Sequence, residues 1–296
     1  MSKKLLLIVN PNAGKKRSQR GLYDIVDTLC RCDCEVNVRV TAKRGDAVVL
    51  AQTYAQDYDE IVCVGGDGTL NEVINGVMLS KSSVPIGYIP AGSTNDFAST
   101  MHIPLKLREA AAAAAYGYPH PHDIGQFNGR FFTYIASLGA FTKVSYSTPQ
   151  KLKNALGHAA YILEGAKDIG GITPFSLSFT AKEQAGEGEF LFGSVSNSTS
   201  VGGFFRLDPL DVRLDDGQFE VMLIRNPQNP SLSIPYMLRC LLRQEYDPEF
   251  FFFFHTADIR FSSSKPLDWT LDGECGGAQT EVHIQTIPNA VQIIRR

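Results

Sequence analysis

Ile61-Val62-Cys63-Val64-Gly65-Gly66-Asp67-Gly68-Thr69-Leu70-Asn71 joins an unbroken apolar run to a glycine cluster. Four apolar residues in succession suit a strand covered on both faces, as in a parallel sheet flanked by helices. Beyond the glycines, Leu70, Val73, Ile74 and Val77 recur at the spacing of one helical face. The stretch predicts strand, turn and helix, the unit of layered α/β domains. Open α/β sheets bind ligands at the carboxyl ends of their strands, where this turn falls. Glycines there let a backbone approach its ligand, and the amides opening the next helix can receive phosphate oxygens. Asp67 would repel a phosphate unless a divalent cation lay between them, so the pattern points to a metal-nucleotide complex. A tight turn that uses glycine for geometry alone is the plainer alternative.

Upstream, Leu5 to Val9 is a second apolar run, followed by Asn10-Pro11-Asn12-Ala13-Gly14 and a helical stretch toward Leu29. Val36, Val38 and Val40 alternate as a strand does, and Asp46 to Tyr58 has the pattern of the next helix. Downstream, Val84 to Ile89 predicts a fourth strand, and Ala110 to Ala115 a packing helix. The fourth strand runs into Pro90-Ala91-Gly92-Ser93-Thr94-Asn95-Asp96-Phe97. These side chains cap helices well, but both loops should emerge on one edge of a parallel sheet, which favours a phosphate and metal role. Gly14-Lys15 lacks the upstream glycine of a P-loop, and no complete G-x-G-x-x-G is present, so the nucleotide mode differs from both.

After Asp123 the texture changes to aromatic and β-branched runs separated by glycine, asparagine and proline. Strands are expected at 131–135, 175–179, 190–195, 219–224, 259–261, 282–287 and 291–294. The one helix expected there begins at Thr148-Pro149 and carries Leu152, Leu156, Ile162 and Leu163. Phe250 to Phe254 fits a buried strand better than a membrane-inserting tip. Asp272-Gly273 alone is a hairpin turn. Glu274 beside it gains interest in a phosphoryl-transfer setting, where a carboxylate within reach of the attacking hydroxyl assists.

A chain of 296 residues, 44% hydrophobic, is long enough for two cores. No apolar run approaches the roughly 18 residues of a membrane span. Lys3-Lys4 before Leu5 to Val9 mimics a signal sequence but is too short. A net charge of -3 lacks the basic field of a nucleic-acid binder. Without a secretory signal, Cys30, Cys32 and Cys34 are expected to be reduced thiols, and no further ligands for a metal stand near them in sequence.

At these residues the chain resembles the diacylglycerol-kinase catalytic-domain family, particularly its bacterial soluble lipid kinases. The markers are Asn10-Pro11 with Ala13-Gly14, Thr41 followed by Gly45-Asp46-Ala47, Gly65 to Asn71, Pro90 to Ala98, Asp123-Ile124, Thr148 to Ile162, Asp216-Gly217 and Leu271 to Glu274. The resemblance covers essentially the whole length. It implies an α/β plus β fold: a nucleotide-binding domain like that of NAD kinases and phosphofructokinases over 1–124, rejoined by 287–296, and a β-sandwich over 125–286, with the site in the cleft between them. It implies ATP contacts at Asn10, Lys15, Thr41, Gly65, Gly66, Asp67, Gly68, Thr69, Leu70, Asn71 and Ser93. Asp67, Asp96 and Asp123 resemble the carboxylate network around a catalytic magnesium, and Glu274 matches the general base. Arg213, Asp216 and Gln218 resemble a structural magnesium site of carboxylate and backbone carbonyls. Ser93 replaces a frequent threonine, and no acidic residue stands near Thr142.

The expected activity is magnesium-dependent transfer from ATP to a lipid hydroxyl, on diacylglycerol, phosphatidylglycerol, a sphingoid base or an undecaprenol-type alcohol. An NAD kinase and a catalytically silent nucleotide-binding regulator are the rivals. Asn95-Asp96-Phe97-Ala98 fits the lipid-kinase pattern, and a regulator has no need of a base. The expected location is the cytoplasm, transiently at the inner face of the membrane, with Lys143, Lys151 and Lys153 as a small basic patch.

Overall fold

The computed structural model describes residues 2–93, 95–139, 173–201, 205–206, 212–243 and 245–296. Thr94, Thr142, the helix expected from Thr148 and the lysines at 143, 151 and 153 lie outside the described residues. The chain divides into two units, Met1–Ile124 with Pro288–Arg296, and Gly125–Ile287.

The first unit alternates β1 (Lys3–Val9), α1 (Ala13–Arg31), β2 (Cys34–Val40), α2 (Asp46–Tyr54), β3 (Glu60–Gly65), α3 (Asp67–Ser80), β4 (Ile86–Pro90), α4 (Asp96–Thr100) and α5 (Leu107–Tyr116). β1 pairs in parallel with both β2 and β3, and β3 with β4. The order 2-1-3-4 reverses direction between β1 and β3, and the carboxyl edge of such a switch point is where open α/β sheets hold ligands. Asn10 and Gly65 stand there. β1 and β3 are buried along nearly their whole length, as strands covered on both faces must be. On one face Leu5, Leu7, Val62 and Val64 pack with Ile25 and Leu29 of α1 and with Ala110, Ala111 and Ala114 of α5. The alanine run is thus a packing face.

Glu60 is fully buried at the start of β3, facing the Lys3 ammonium. Burial pushes its carboxyl up to about 7, with Lys3 pulling it partly back. Between its ordinary value and 7 the folded chain holds a proton that the unfolded chain releases, so stability is greatest in acid and falls as pH rises. Glu60→Gln is expected to flatten the decline in melting temperature between about pH 5 and pH 7. An unchanged slope would show that Lys3 keeps Glu60 ionised.

β5 (Tyr118–Phe127) leads into the second unit. There follow β6 (Arg130–Phe132), β7 (Ile135–Gly139), β8 (Phe175–Ala181), β9 (Ala185–Ser196), the short β10 (Ser200–Val201) and β11 (Phe205–Arg206), β12 (Phe219–Arg225), α6 (Pro230–Arg243), β13 (Phe251–Thr256), β14 (Asp258–Leu271) and β15 (Glu274–Arg295). The main order is β13-β12-β9-β7-β14-β15, and β8 pairs with both β9 and β14. The antiparallel circuit β9-β7-β14-β8 therefore closes on itself around Leu138, Leu177, Phe179, Phe190, Phe261 and Trp269. β15 ends in the first unit, where Ile293 pairs in parallel with Ile86 of β4.

Four expected strands change, and one helix is added. The strands expected at 282–287 and 291–294 are one strand, β15, and the one at 259–261 is part of the longer β14. The strand expected at 131–135 is two, β6 and β7. α6 was not expected, because Pro230-Ser231-Leu232-Ser233-Ile234-Pro235 reads as a breaker; its prolines sit in the first two turns, where few amide bonds are lost, and Met237 and Cys240 are buried beyond them. Of the phenylalanine run, Phe251 is buried, Phe252 and Phe254 are half-buried, and Phe253 is 39% exposed.

Candidate functional site

Three loops leave the carboxyl ends of β1, β3 and β4 and touch backbone to backbone. Asn10 Nδ2 donates to Thr69 Oγ1 at 3.0 Å, Asn10 N to Val64 O at 2.9 Å, and Ala91 N to Gly65 O at 2.7 Å. Gly14 has φ +53°, and a Cβ there would lie 2.0 Å from Ala91 O. A Cβ at Gly92 would lie 2.6 Å from Gly66 Cα and 2.8 Å from Asn95 Oδ1. Gly92→Ala must therefore part the β3 and β4 loops, at an expected cost of about 1–3 kcal/mol read as a lower melting temperature. An unaltered melt would mean that the two loops are not locked together.

Asp67 opens α3 after Gly66, which is extended at φ -94° and ψ -177°. Its half-buried carboxylate accepts from Asp96 N at 3.1 Å and Phe97 N at 3.4 Å, so it also caps α4. Tyr88 Oη lies 3.4 Å from Asp67 Oδ1, 3.4 Å from Asn95 Oδ1 and 3.3 Å from Gly65 O. Burial pushes the Asp67 carboxyl above its usual range against these donors. A carboxylate that burial disfavours and that points among oxygen-bearing loops suits a hard cation, which would restore its charge partner. The residues present fit magnesium better than a softer metal.

The other expected nucleotide residues divide. Thr41 is buried, its N–H donating to Val9 O at 2.9 Å. Its loop is held by Asp46, which accepts from Ala42 and Lys43, and by Glu72 of α3, which accepts from Gly45 N at 2.9 Å and Ala47 N at 3.2 Å. Lys15 is exposed at φ +55° in the left-handed turn before α1 becomes regular, and Ser93 is exposed. Asn71 accepts from Asn75 Nδ2. Leu70 turns its side chain into the core and commits its N–H to Gly66 O at 3.1 Å.

Asp96 reaches Asp67 through its backbone N–H, while Asp123 is fully buried and accepts from Asn289 N at 2.6 Å. Among the described residues no group of three His, Cys, Asp or Glu is placed to hold a metal ion. A cation at Asp67 would rely on one or two carboxylates plus phosphate oxygens, the ordinary magnesium arrangement.

In the second unit, Asp272 and Gly273 have φ +49° and +80°, a type I′ pattern that pairs Leu271 with Glu274. The hairpin is anchored by Asp272, whose buried carboxylate accepts from Thr133 N, Tyr134 N and Ile135 N at 2.6, 2.9 and 3.0 Å. Glu274 is thereby presented, half-buried, from a fixed turn. Asp216 Oδ1 accepts from Gln218 N at 3.0 Å across Gly217, whose φ is +76°, in a loop with Arg213 exposed. Tyr88, Asn95, Glu72 and Asp272 were not singled out from sequence as positioning groups; only capping chemistry at Asn95 hinted at a role.

A parallel sheet with glycine-aspartate and asparagine loops packed at its switch point defines a phosphate-handling α/β enzyme class. A profile of the diacylglycerol kinase catalytic domain matches residues 4–127. The diacylglycerol kinase of Staphylococcus saprophyticus is 33% identical over 279 residues, 94% of this chain and 90% of that protein. A diacylglycerol kinase crystal structure from Bacillus anthracis str. Sterne, 23% identical, aligns with TM-score 0.77 over 99% of this chain and 97% of its own, and a further crystal structure from that strain reaches 0.82 at 26% identity over 99% and 95%. The chain belongs to the diacylglycerol kinase family. Its described helices include none long and apolar enough to cross a membrane.

Proposed function

We propose that the chain is a magnesium- and ATP-dependent lipid kinase that phosphorylates the hydroxyl of diacylglycerol or a related lipid. The observation that carries this is Asp67, a half-buried carboxylate opening a helix at the switch point of a parallel sheet, in a chain of this family.

In this account Asn10, Lys15, Thr41, Gly65 to Asn71 and Ser93 form the nucleotide side. The amides of Asp67 and Gly68, which open α3, hold phosphate oxygens, and Asp67 holds the cation with support from Asp96. Magnesium, when bound, neutralises charge spread over the γ-phosphoryl oxygens. Asp123 completes the carboxylate network around that cation, its Oδ1 held by Asn289 N. Glu274 orients the acceptor hydroxyl and takes its proton. Arg213, Asp216 and Gln218 form a second cation site through one carboxylate and two backbone carbonyls, a role that supports the fold.

The first unit is assigned a fold of the NAD-kinase and phosphofructokinase kind and the ATP role. The second unit, in which β9 and β14 each pair on both edges around one core, is assigned a β-sandwich and the lipid role. The protein works at the inner face of the membrane, on which it docks peripherally from the cytoplasm. Calorimetric titration tests the nucleotide half: ATP should bind with magnesium and weakly without it. Binding indifferent to magnesium would sink the assignment of Asp67, and phosphorylation of NAD without any lipid product would favour the NAD-kinase alternative.

A further inference from the structure

Alternate residues along a strand face opposite sides of the sheet, which sorts the second unit's side chains into two sets. Ala136, Leu138, Val195, Val221, Leu223, Trp269 and Leu271 belong to one core. Ile135, Phe192, Met222, Ile224 and Phe251 belong to the other, beneath α6. On that second face the apolar set gives way to Ser137, Thr270, Ser194, Ser196 and Glu220, which follow one another across β14, β7, β9 and β12 in the pairings Thr270 with Ser137, Ser137 with Ser194, and Ser196 with Glu220. Ser137 and Thr270 satisfy each other, their hydroxyls 3.4 Å apart.

Ser194 and Ser196 do not have that relief, and Glu220, whose carboxyl accepts from the Ser198 backbone N–H, has it only in part. Ser194, Ser196 and Glu220 are 1%, 0% and 2% exposed, yet among the described residues Ser194 Oγ, Ser196 Oγ and Glu220 Oε2 have no hydrogen-bond partner. Each such group costs stability, so three in one row call for a missing complement. The row contains no cation, so a phosphate-bearing ligand finds nothing to neutralise it. It offers two serine hydroxyls and one carboxyl oxygen, which match the ester carbonyls and the single hydroxyl of an uncharged head. The row also leads toward the reacting side: Ser196 pairs with Ile135, whose carbonyl accepts from Asp272 N at 2.8 Å, two residues before Glu274. Two strand spacings cover roughly 10 Å.

We propose that Ser194, Ser196 and Glu220 bind the uncharged glycerol-ester head of the acceptor lipid, on the sheet face that leads to the Glu274 hairpin. The assignment rests on the lipid-kinase account and makes these residues determinants of acceptor choice. A binding row also explains why unsatisfied hydroxyls persist in a core where alanine would be more stable.

The test measures label transfer from ATP by the full chain, with short-chain diacylglycerol or phosphatidylglycerol as acceptor, together with thermal melts. The double variant S194A/S196A is expected to raise KM for diacylglycerol about fivefold for each lost hydrogen bond. KM for ATP should stay unchanged and the melting temperature should hold or rise. Glu220→Gln, which keeps the shape of the side chain, should raise the same KM and serves if the double variant folds poorly. An unchanged acceptor KM in both variants, an equal rise in KM for ATP, or a wild-type preference for phosphatidylglycerol would overturn the proposal while leaving the kinase account standing. A wild type that labels no lipid would bring down both.

Discussion

Asp67→Asn is expected to lower phosphoryl transfer about a thousandfold or more, because it removes the anion that would hold the cation against the developing charge of the γ-phosphoryl group. The same change should leave the fold at least as stable. Burial raises the Asp67 carboxyl, so at neutral pH the ionised form is disfavoured by the folded chain, and a neutral amide relieves that cost. Asn Oδ1 can still accept from Asp96 N or Phe97 N, so the cap on α4 survives in part. Steady-state turnover and a melting curve on the same preparation separate the two effects. Near-normal turnover, or loss of turnover only in step with unfolding, would show that Asp67 is a capping residue and no more.

The second large effect is expected at Glu274. Glu274→Gln keeps the volume and the hairpin, since the anchor of that turn is Asp272 and its three backbone donors. It removes the proton acceptor. Turnover should fall about a hundredfold or more while ATP affinity stays close to the wild-type value. The split matters because a merely structural role would lower both together. Unchanged turnover with saturating lipid would reassign Glu274 to the hairpin alone, and Asp272→Ala, which frees Thr133, Tyr134 and Ile135 N–H groups, marks what structural damage there looks like.

The strand-turn-helix at 61–77 was legible because its pattern changes from a continuous apolar run to helical spacing across three glycines, a purely local signal. The same locality made the β1 and β4 loops readable. What the chain does with side chains far apart in sequence was not. Asp123 accepts from the backbone N–H of Asn289, a contact between segments 166 residues apart that no local pattern foretells. Asp272 looked like a turn residue, and its capture of the amides of 133–135 is equally nonlocal. β14 and β15 were read as short pieces because Ser262 to Ser264, Gly276-Gly277 and Pro288-Asn289 interrupt the apolar alternation, which the sheet absorbs with register shifts near Ser262 and Trp269. α6 was hidden by its own serines and prolines, and tertiary burial of Met237 and Cys240 overrides that weak propensity. The orphaned row at Ser194, Ser196 and Glu220 depends on strand register, which single-strand patterns do not specify.

The most direct measurement is transfer of the labelled γ-phosphate of ATP to lipids in mixed micelles, with magnesium present or chelated and with free NAD offered in parallel. The account predicts label in diacylglycerol or a related lipid alcohol, abolished by chelation. Label in NAD alone, or in no acceptor while ATP still binds, would contradict it.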